Sequence, residues 1–215
     1  MTPRTPRPTL SPDTTLFRST DLSRGFVRGY NMQITRGSGP VTTAIQGFAS
    51  GAVPWGPDHH AGFDRIFDHT ATIGILCEDL PEEHNTVTLD DTLKDSDGIP
   101  SPKITYTLSE NTQKMLAHGL ARGAEVLDAA GAIEINTVDL LRPAGWHLLG
   151  TARMGDDPKT SVVNSWGRSH DVRNLFIVDG SIFVTAGGLN PTSTIQALAL
   201  HIADTMKKNL ANLFD

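Results

Sequence analysis

Two separated, glycine-punctuated blocks near the C-terminus constrain this chain most. The first is Gly145-Trp146-His147-Leu148-Leu149-Gly150-Thr151-Ala152-Arg153-Met154-Gly155. The second runs Asn174-Leu175-Phe176-Ile177-Val178-Asp179-Gly180-Ser181, then on to Thr185-Ala186-Gly187-Gly188-Leu189-Asn190-Pro191-Thr192. Each sets an apolar run beside small and polar residues, the pattern by which a scaffold delivers side chains to a pocket rather than to a core. The fold must bring the two blocks to one place, and His147 and Asn190 are the leading site residues.

The rest of the chain bounds the surroundings. With 215 residues it has material for one large domain, or one and a half ordinary ones, and a real core. Its net charge of −6 argues against nucleic acid or an anionic membrane as partner, since both demand a basic face. Cys77 is the lone cysteine, which excludes an intrachain disulfide and a cysteine-based metal site. No apolar stretch reaches spanning length, and the N-terminus lacks the apolar core of a signal peptide. A soluble protein is expected, with the cytoplasm favoured.

Three regions are expected along the chain. Residues 1–24, rich in Pro and Thr, read as a disordered or extended lead-in. Residues 25–145 read as a substrate-binding region, and 146–215 as a catalytic, cofactor-contacting segment. Within the middle region, 25–68 reads as loops and short strands. Apolar or alternating runs at 71–77, 86–89 and 103–107 predict three strands of one antiparallel sheet, with a turn at 95–101. Ser109 caps a predicted helix with Leu116, Leu120, Ala124 and Leu127 on one face, ending at Gly131. Residues 133–135 are a further short strand candidate.

In the last region, 174–178 predicts a buried strand. Asn190-Pro191 reads as an N-cap followed by proline at the first helical position. The helix that follows carries Ile195, Leu198, Ala199, Ile202 and Met206 on one stripe, with Lys207 and Lys208 suiting its dipole. The expected class is α+β: an antiparallel sheet with packed helices, plus a C-terminal strand–loop–helix unit.

Each candidate has a plain alternative. His147 is one of eight histidines and could simply pack beside Trp146, with Arg153 in a structural ion pair. Against that, an imidazole takes a proton near neutral pH, and the glycines after it let a ligand approach backbone. Asn190 could be a cap alone. Asp179-Gly180 could be an ordinary strand exit, or could set a carboxylate beside ribose-like hydroxyls. Asp58, His59, His60, Asp64 and His69 can be drawn as a metal site, but adjacent histidines diverge on regular backbone, so no metal site is expected.

The two blocks resemble the C-terminal signature of the glucose-methanol-choline (GMC) oxidoreductases, FAD-dependent oxidases and dehydrogenases of alcohols and sugars. His147 heads the stretch similar to that family's H-x-x-G-T-x-R-M-G, and Asn190, 43 residues later, stands where the family has its second histidine or asparagine. The Asn-Pro-Thr form is most similar to the bacterial gluconate- or sugar-dehydrogenase-like and pyranose-oxidase-like branches. The likeness extends upstream through Glu78-Asp79-Leu80-Pro81 and the 104–131 region, similar to the family's substrate domain.

The resemblance implies FAD as cofactor and a small alcohol or sugar as substrate. His147 would take the hydroxyl proton as hydride passes to flavin N5, and Asn190 would hold the alcohol oxygen. Asp179 and Gly180 would meet the ribityl–phosphate region, while Asn190, Pro191 and Thr192 would meet the ring. The family's G-x-G-x-x-G turn is not in this sequence, so the N-terminal Rossmann half is read as absent and a complementary FAD-binding polypeptide as a possible partner. A truncation, a split gene and a short form all match that pattern. The rival reading is a non-catalytic remnant or interaction module that keeps the half-fold without cofactor.

Overall fold

A computed structural model describes residues 22–36, 39–141 and 145–210. Nearly all of the proposed lead-in lies outside them, and Leu22–Arg24 forms a 3-10 turn. The fold class is α+β as expected, with the strands paired differently.

Strand β1 (Tyr30–Arg36) pairs antiparallel with β2 (Ala71–Cys77), in the register Tyr30 to Cys77 through Arg36 to Ala71. Between them lie helices α1 (Pro40–Ser50) and α2 (His59–Ile66). The stretch read as loops and short strands is therefore one regular strand and two helices. The Tyr30-Asn31-Met32-Gln33-Ile34 alternation is a period-2 signal for β1. The helices are short and glycine-bearing. A Cβ on Gly47 would lie 2.4 Å from Val53 Cγ2 and 2.7 Å from Ile66 Cδ1, so close packing of α1 on α2 requires glycine there.

Strands β3 (Thr86–Lys94) and β4 (Pro100–Thr105) form a separate hairpin, so the three expected strands do not share a sheet. Its turn lies where expected: Asp95 Oδ1 accepts from the amides of Asp97 and Ile99, both at 2.9 Å, and Gly98 supplies φ 81°.

Helix α3 (Glu110–Ala129) starts at the Ser109 cap, whose hydroxyl accepts from the Thr112 amide at 3.2 Å. It ends at Ala130, followed by Gly131 at φ 87°. Its buried face is Thr112, Met115, Gly119 and Gly123, not the expected leucine stripe. The glycines decide this. A Cβ on Gly119 would stand 2.5 Å from Ile75 Cγ2 and 3.3 Å from the Tyr30 ring, so only a bare backbone lets α3 lie this close to β1–β2. The displaced leucines Leu116 and Leu120 line a groove with Leu108 and Leu140. Residues 133–135 form no strand: Ile133 is fully exposed, and Glu134 pairs with Arg65 and Asn136.

The C-terminal unit is loop-rich. Val163, Ile182 and Ile202 are its buried centre, with Met154, Ile177, Phe183, Leu198 and Met206 packed against them. Helix α4 (Thr192–Lys208) supplies Leu198, Ile202 and Met206 from its expected stripe. Residues 174–178 do not form the expected strand. Ser169 N donates to Leu175 O at 2.9 Å and Ile177 N to Gly167 O at 2.8 Å, leaving one isolated bridge between Arg168 and Phe176. The opposing segment turns at Gly167 (φ 77°), which stops the ladder from growing.

Candidate active site

The two blocks are hydrogen-bonded side by side. Gly150 N donates to Gly180 O (3.3 Å), Ala152 N to Ser181 O (2.8 Å) and Met154 N to Ile182 O (2.8 Å). The turn after His147 is thus tied to the turn after Asp179. Packing reinforces the tie: a Cβ on Gly180 would meet Leu149 Cδ2 at 2.8 Å, Ile195 Cδ1 at 3.1 Å and Leu148 O at 3.2 Å. Block one, block two and α4 converge at Gly180.

His147 is half-buried between exposed Trp146 and Leu148, and its imidazole has no hydrogen-bond partner among the described residues. Neither ring nitrogen is engaged by another described residue. Arg153 forms no ion pair among the described residues; its Nε donates to Thr160 O at 2.6 Å and fastens the 153–160 loop.

Asn190 is not the N-cap. Helix α4 begins at Thr192, and the cap position is held by Pro191, which makes no side-chain cap; Ile195 N donates to Pro191 O at 2.9 Å. Asn190 stands one residue earlier, and its Oδ1 accepts from Gln33 Nε2 at 2.6 Å. That bond turns the carboxamide toward β1 and away from the helix amides. Asn31 also donates from Nδ2 to Gly188 O. These two β1 residues were not singled out from sequence, because 25–68 was read only as loops and short strands with no strand placed at 30–36.

Asp179 caps the 3-10 turn Gly180–Ile182: its Oδ1 accepts from the Ser181 hydroxyl at 2.6 Å and the Ser181 amide at 2.8 Å. The bond to the Ser181 hydroxyl, then that to the amide, holds its carboxyl below the usual carboxylate range. Asp179 is therefore a charged, exposed cap whose Oδ2 faces no partner among the described residues. Gly180 is buried against Leu149 and Ile195, so packing alone requires glycine there. Pro191 is half-buried and Thr192 exposed at the start of α4.

Upstream, Asp79 accepts from the Thr112 hydroxyl at 2.5 Å and from the Tyr106 hydroxyl, joining the Glu78-Asp79-Leu80-Pro81 turn to β4 and α3. Arg28 pairs with Glu78 at 3.1 Å. A serine–histidine contact, Ser161 Oγ to His170 Nε2 at 2.9 Å, is structural. The Ser161 hydroxyl donates to Asp157 O (2.6 Å), and His170 Nε2 also reaches Gly155 O (3.1 Å), an acceptor only. His170 Nε2 thus carries the proton and cannot activate the serine.

The fold and site define an α+β unit in which the loop after His147 is joined by backbone hydrogen bonds to the Gly180–Ile182 turn, α4 packs at Gly180 through Ile195, and side chains of β1 hold the Gly-Gly-Leu-Asn loop. Residues 81–199 match the GMC oxidoreductase family. The chain belongs to that family. It is 42% identical to 2-methyl-1,2-propanediol dehydrogenase of Mycolicibacterium austroafricanum, over 93% of this chain and 36% of that protein. It is 37% identical to the fructose dehydrogenase large subunit of Gluconobacter japonicus, over 66% of this chain and 26% of that one. To the gluconate 2-dehydrogenase flavoprotein of Pantoea cypripedii it is 26% identical, over 86% and 31%. The chain thus spans 36% or less of the length of each of these three.

Proposed function

We propose that this chain forms the substrate-facing part of an FAD-dependent enzyme oxidising the CH–OH group of a small alcohol or sugar. The reading is supported by the backbone bonds that join 150–154, just after His147, to 180–182 in the second block, with a partnerless His147 in one block and an Asn190 freed from capping in the other. Membership of the GMC family supports the same chemistry.

The residues present are compatible with a flavin. Thr185 Oγ1 is buried with no hydrogen-bond partner among the described residues, a cost that a polar ligand atom would relieve. No atom lies within 4 Å of where a Cβ on Gly187 would be, so a flat group can approach that backbone. Helix α4 starts without a side-chain cap, leaving first-turn amides to face negative charge. Asn190, Pro191 and Thr192 would hold the ring side, and the free Oδ2 of Asp179 would accept from a hydroxyl. Gly180 would contribute through the turn it permits.

Bound FAD supplies the hydride acceptor. His147 accepts the substrate hydroxyl proton on an imidazole nitrogen, so that the C–H bond can release its electron pair as hydride. Asn190 donates from Nδ2 to the alcohol oxygen and keeps it facing His147. The helix start favours negative charge on its side of the pocket.

Trp146, Leu148, Val184 and Leu189 are exposed apolar side chains in or beside the blocks, which suits cover by a nucleotide-binding polypeptide. Flavin titration of the purified chain tests this. The chain alone is expected to stay colourless and to bind FAD only with such a partner, after which a small alcohol or sugar should bleach the flavin. Stoichiometric flavin on the chain alone would overturn the need for a partner. A flavin-loaded protein that no alcohol or sugar bleaches would favour the non-catalytic reading.

A further inference from the structure

Strand β1 has two faces. Tyr30 and Met32, paired with Cys77 and Ile75, lie on the face that meets α3. Asn31 and Gln33 lie on the other and hold one loop at two points: Asn31 Nδ2 on Gly188 O, and Gln33 Nε2 on Asn190 Oδ1 at 2.6 Å. The loop so held, Gly187-Gly188-Leu189-Asn190, has two glycines and is followed by a proline with no amide hydrogen. An exposed carboxamide there would rotate between two nearly equivalent orientations. In the structure Gln33 meets it with its amide end. By donating to Oδ1 it leaves both Nδ2 hydrogens, which have no partner among the described residues, to point elsewhere.

We propose that Gln33, with Asn31 holding the same loop at Gly188, is the positioning residue that polarises the site: it orients the Asn190 carboxamide so that Asn190 offers a donor, not an acceptor, to the substrate oxygen. This rests on the proposed role of Asn190. It implies that the substrate atom bound there is a hydroxyl oxygen accepting a hydrogen bond. Gln33 itself touches no substrate.

The test replaces the donor by an acceptor of the same shape. In Gln33→Glu, the carboxylate at position 33 draws the Asn190 Nδ2 hydrogens toward itself and turns Oδ1 outward. In flavin-loaded protein containing this chain, Gln33→Glu should lower kcat by about three- to tenfold, the worth of a neutral hydrogen bond. Gln33→Met, which frees the carboxamide without reversing it, should lower it less. Both effects should vanish in an Asn190→Ala background, because the orienting residue then has nothing to orient. Equal losses in Gln33→Glu and Gln33→Met, or losses that persist without Asn190, would overturn the proposal.

A second readout needs no turnover. In isotope-labelled full chain, the Asn190 side-chain amide protons should move downfield in Gln33→Glu and not in Gln33→Met. Unmoved signals would sink the orientation claim. A normal shift together with an Asn190→Ala variant of undiminished turnover would instead remove Asn190 from the reaction.

Discussion

Leu149 Cδ2 stands 2.8 Å from where a side chain on Gly180 would begin, so the first block fills the space that the second block's glycine leaves open. Ile195 Cδ1, at 3.1 Å, closes the same space from α4. The Leu148 carbonyl at 3.2 Å is backbone and cannot step aside as a side chain would.

Gly180→Ala should therefore destabilise the protein by about 1–3 kcal/mol, the usual cost of overpacking. It should also loosen the backbone bonds joining 150–154 to 180–182. Denaturant titration checks the first effect, and amide exchange at Ala152 and Met154 the second. An alanine variant of unchanged stability would mean that the blocks are not locked together at this point.

Asn190→Ala should slow turnover in flavin-loaded protein while leaving α4 intact, because Asn190 is not the cap. Removing a true N-cap costs about 1 kcal/mol; here the melting temperature should hardly move. Asn190→Asp should be as slow as alanine, since a carboxylate lacks the amide donor. Thermal melts read beside turnover decide between the roles. A destabilised, fully active alanine variant would return Asn190 to capping.

Tyr106 is pushed above its ordinary range by burial first and by its hydrogen bond to Asp79 second. The fold favours its neutral form, so this contribution is fully present below the unfolded phenol value of about 10 and is lost as pH rises through the folded value. Stability should thus fall in alkali above about pH 10, and Tyr106→Phe should flatten that fall relative to the parent. Melting temperature followed with pH for both proteins checks the difference. Parallel curves would show that the Asp79–Tyr106 contact carries no alkaline dependence.

The sequence disclosed those features whose signals are local. The Ser109 cap, the Asp95–Gly98 turn and the α4 stripe each follow from a few neighbouring residues, and each stands where expected. The pairing of the two blocks was also legible, because the spacing of their glycines and polar residues is a motif in itself. What failed was non-local. Strand 71–77 pairs with 30–36 across two intervening helices, a choice set by α3 settling on Gly119 and Gly123. Asn190 lost its capping role to Gln33, 157 residues away in sequence. No window of sequence contains that competition, and it decides what Asn190 has free to offer.

His147 carries the central claim, and the rate of flavin reduction by substrate in the absence of oxygen measures it most directly. Flavin-loaded protein containing this chain should bleach on mixing with alcohol. In His147→Ala that rate should fall by about 10²–10⁴-fold, the reach of general base catalysis, with flavin content unchanged. Bleaching within a few-fold of the parent rate at neutral pH would contradict His147 as the proton acceptor.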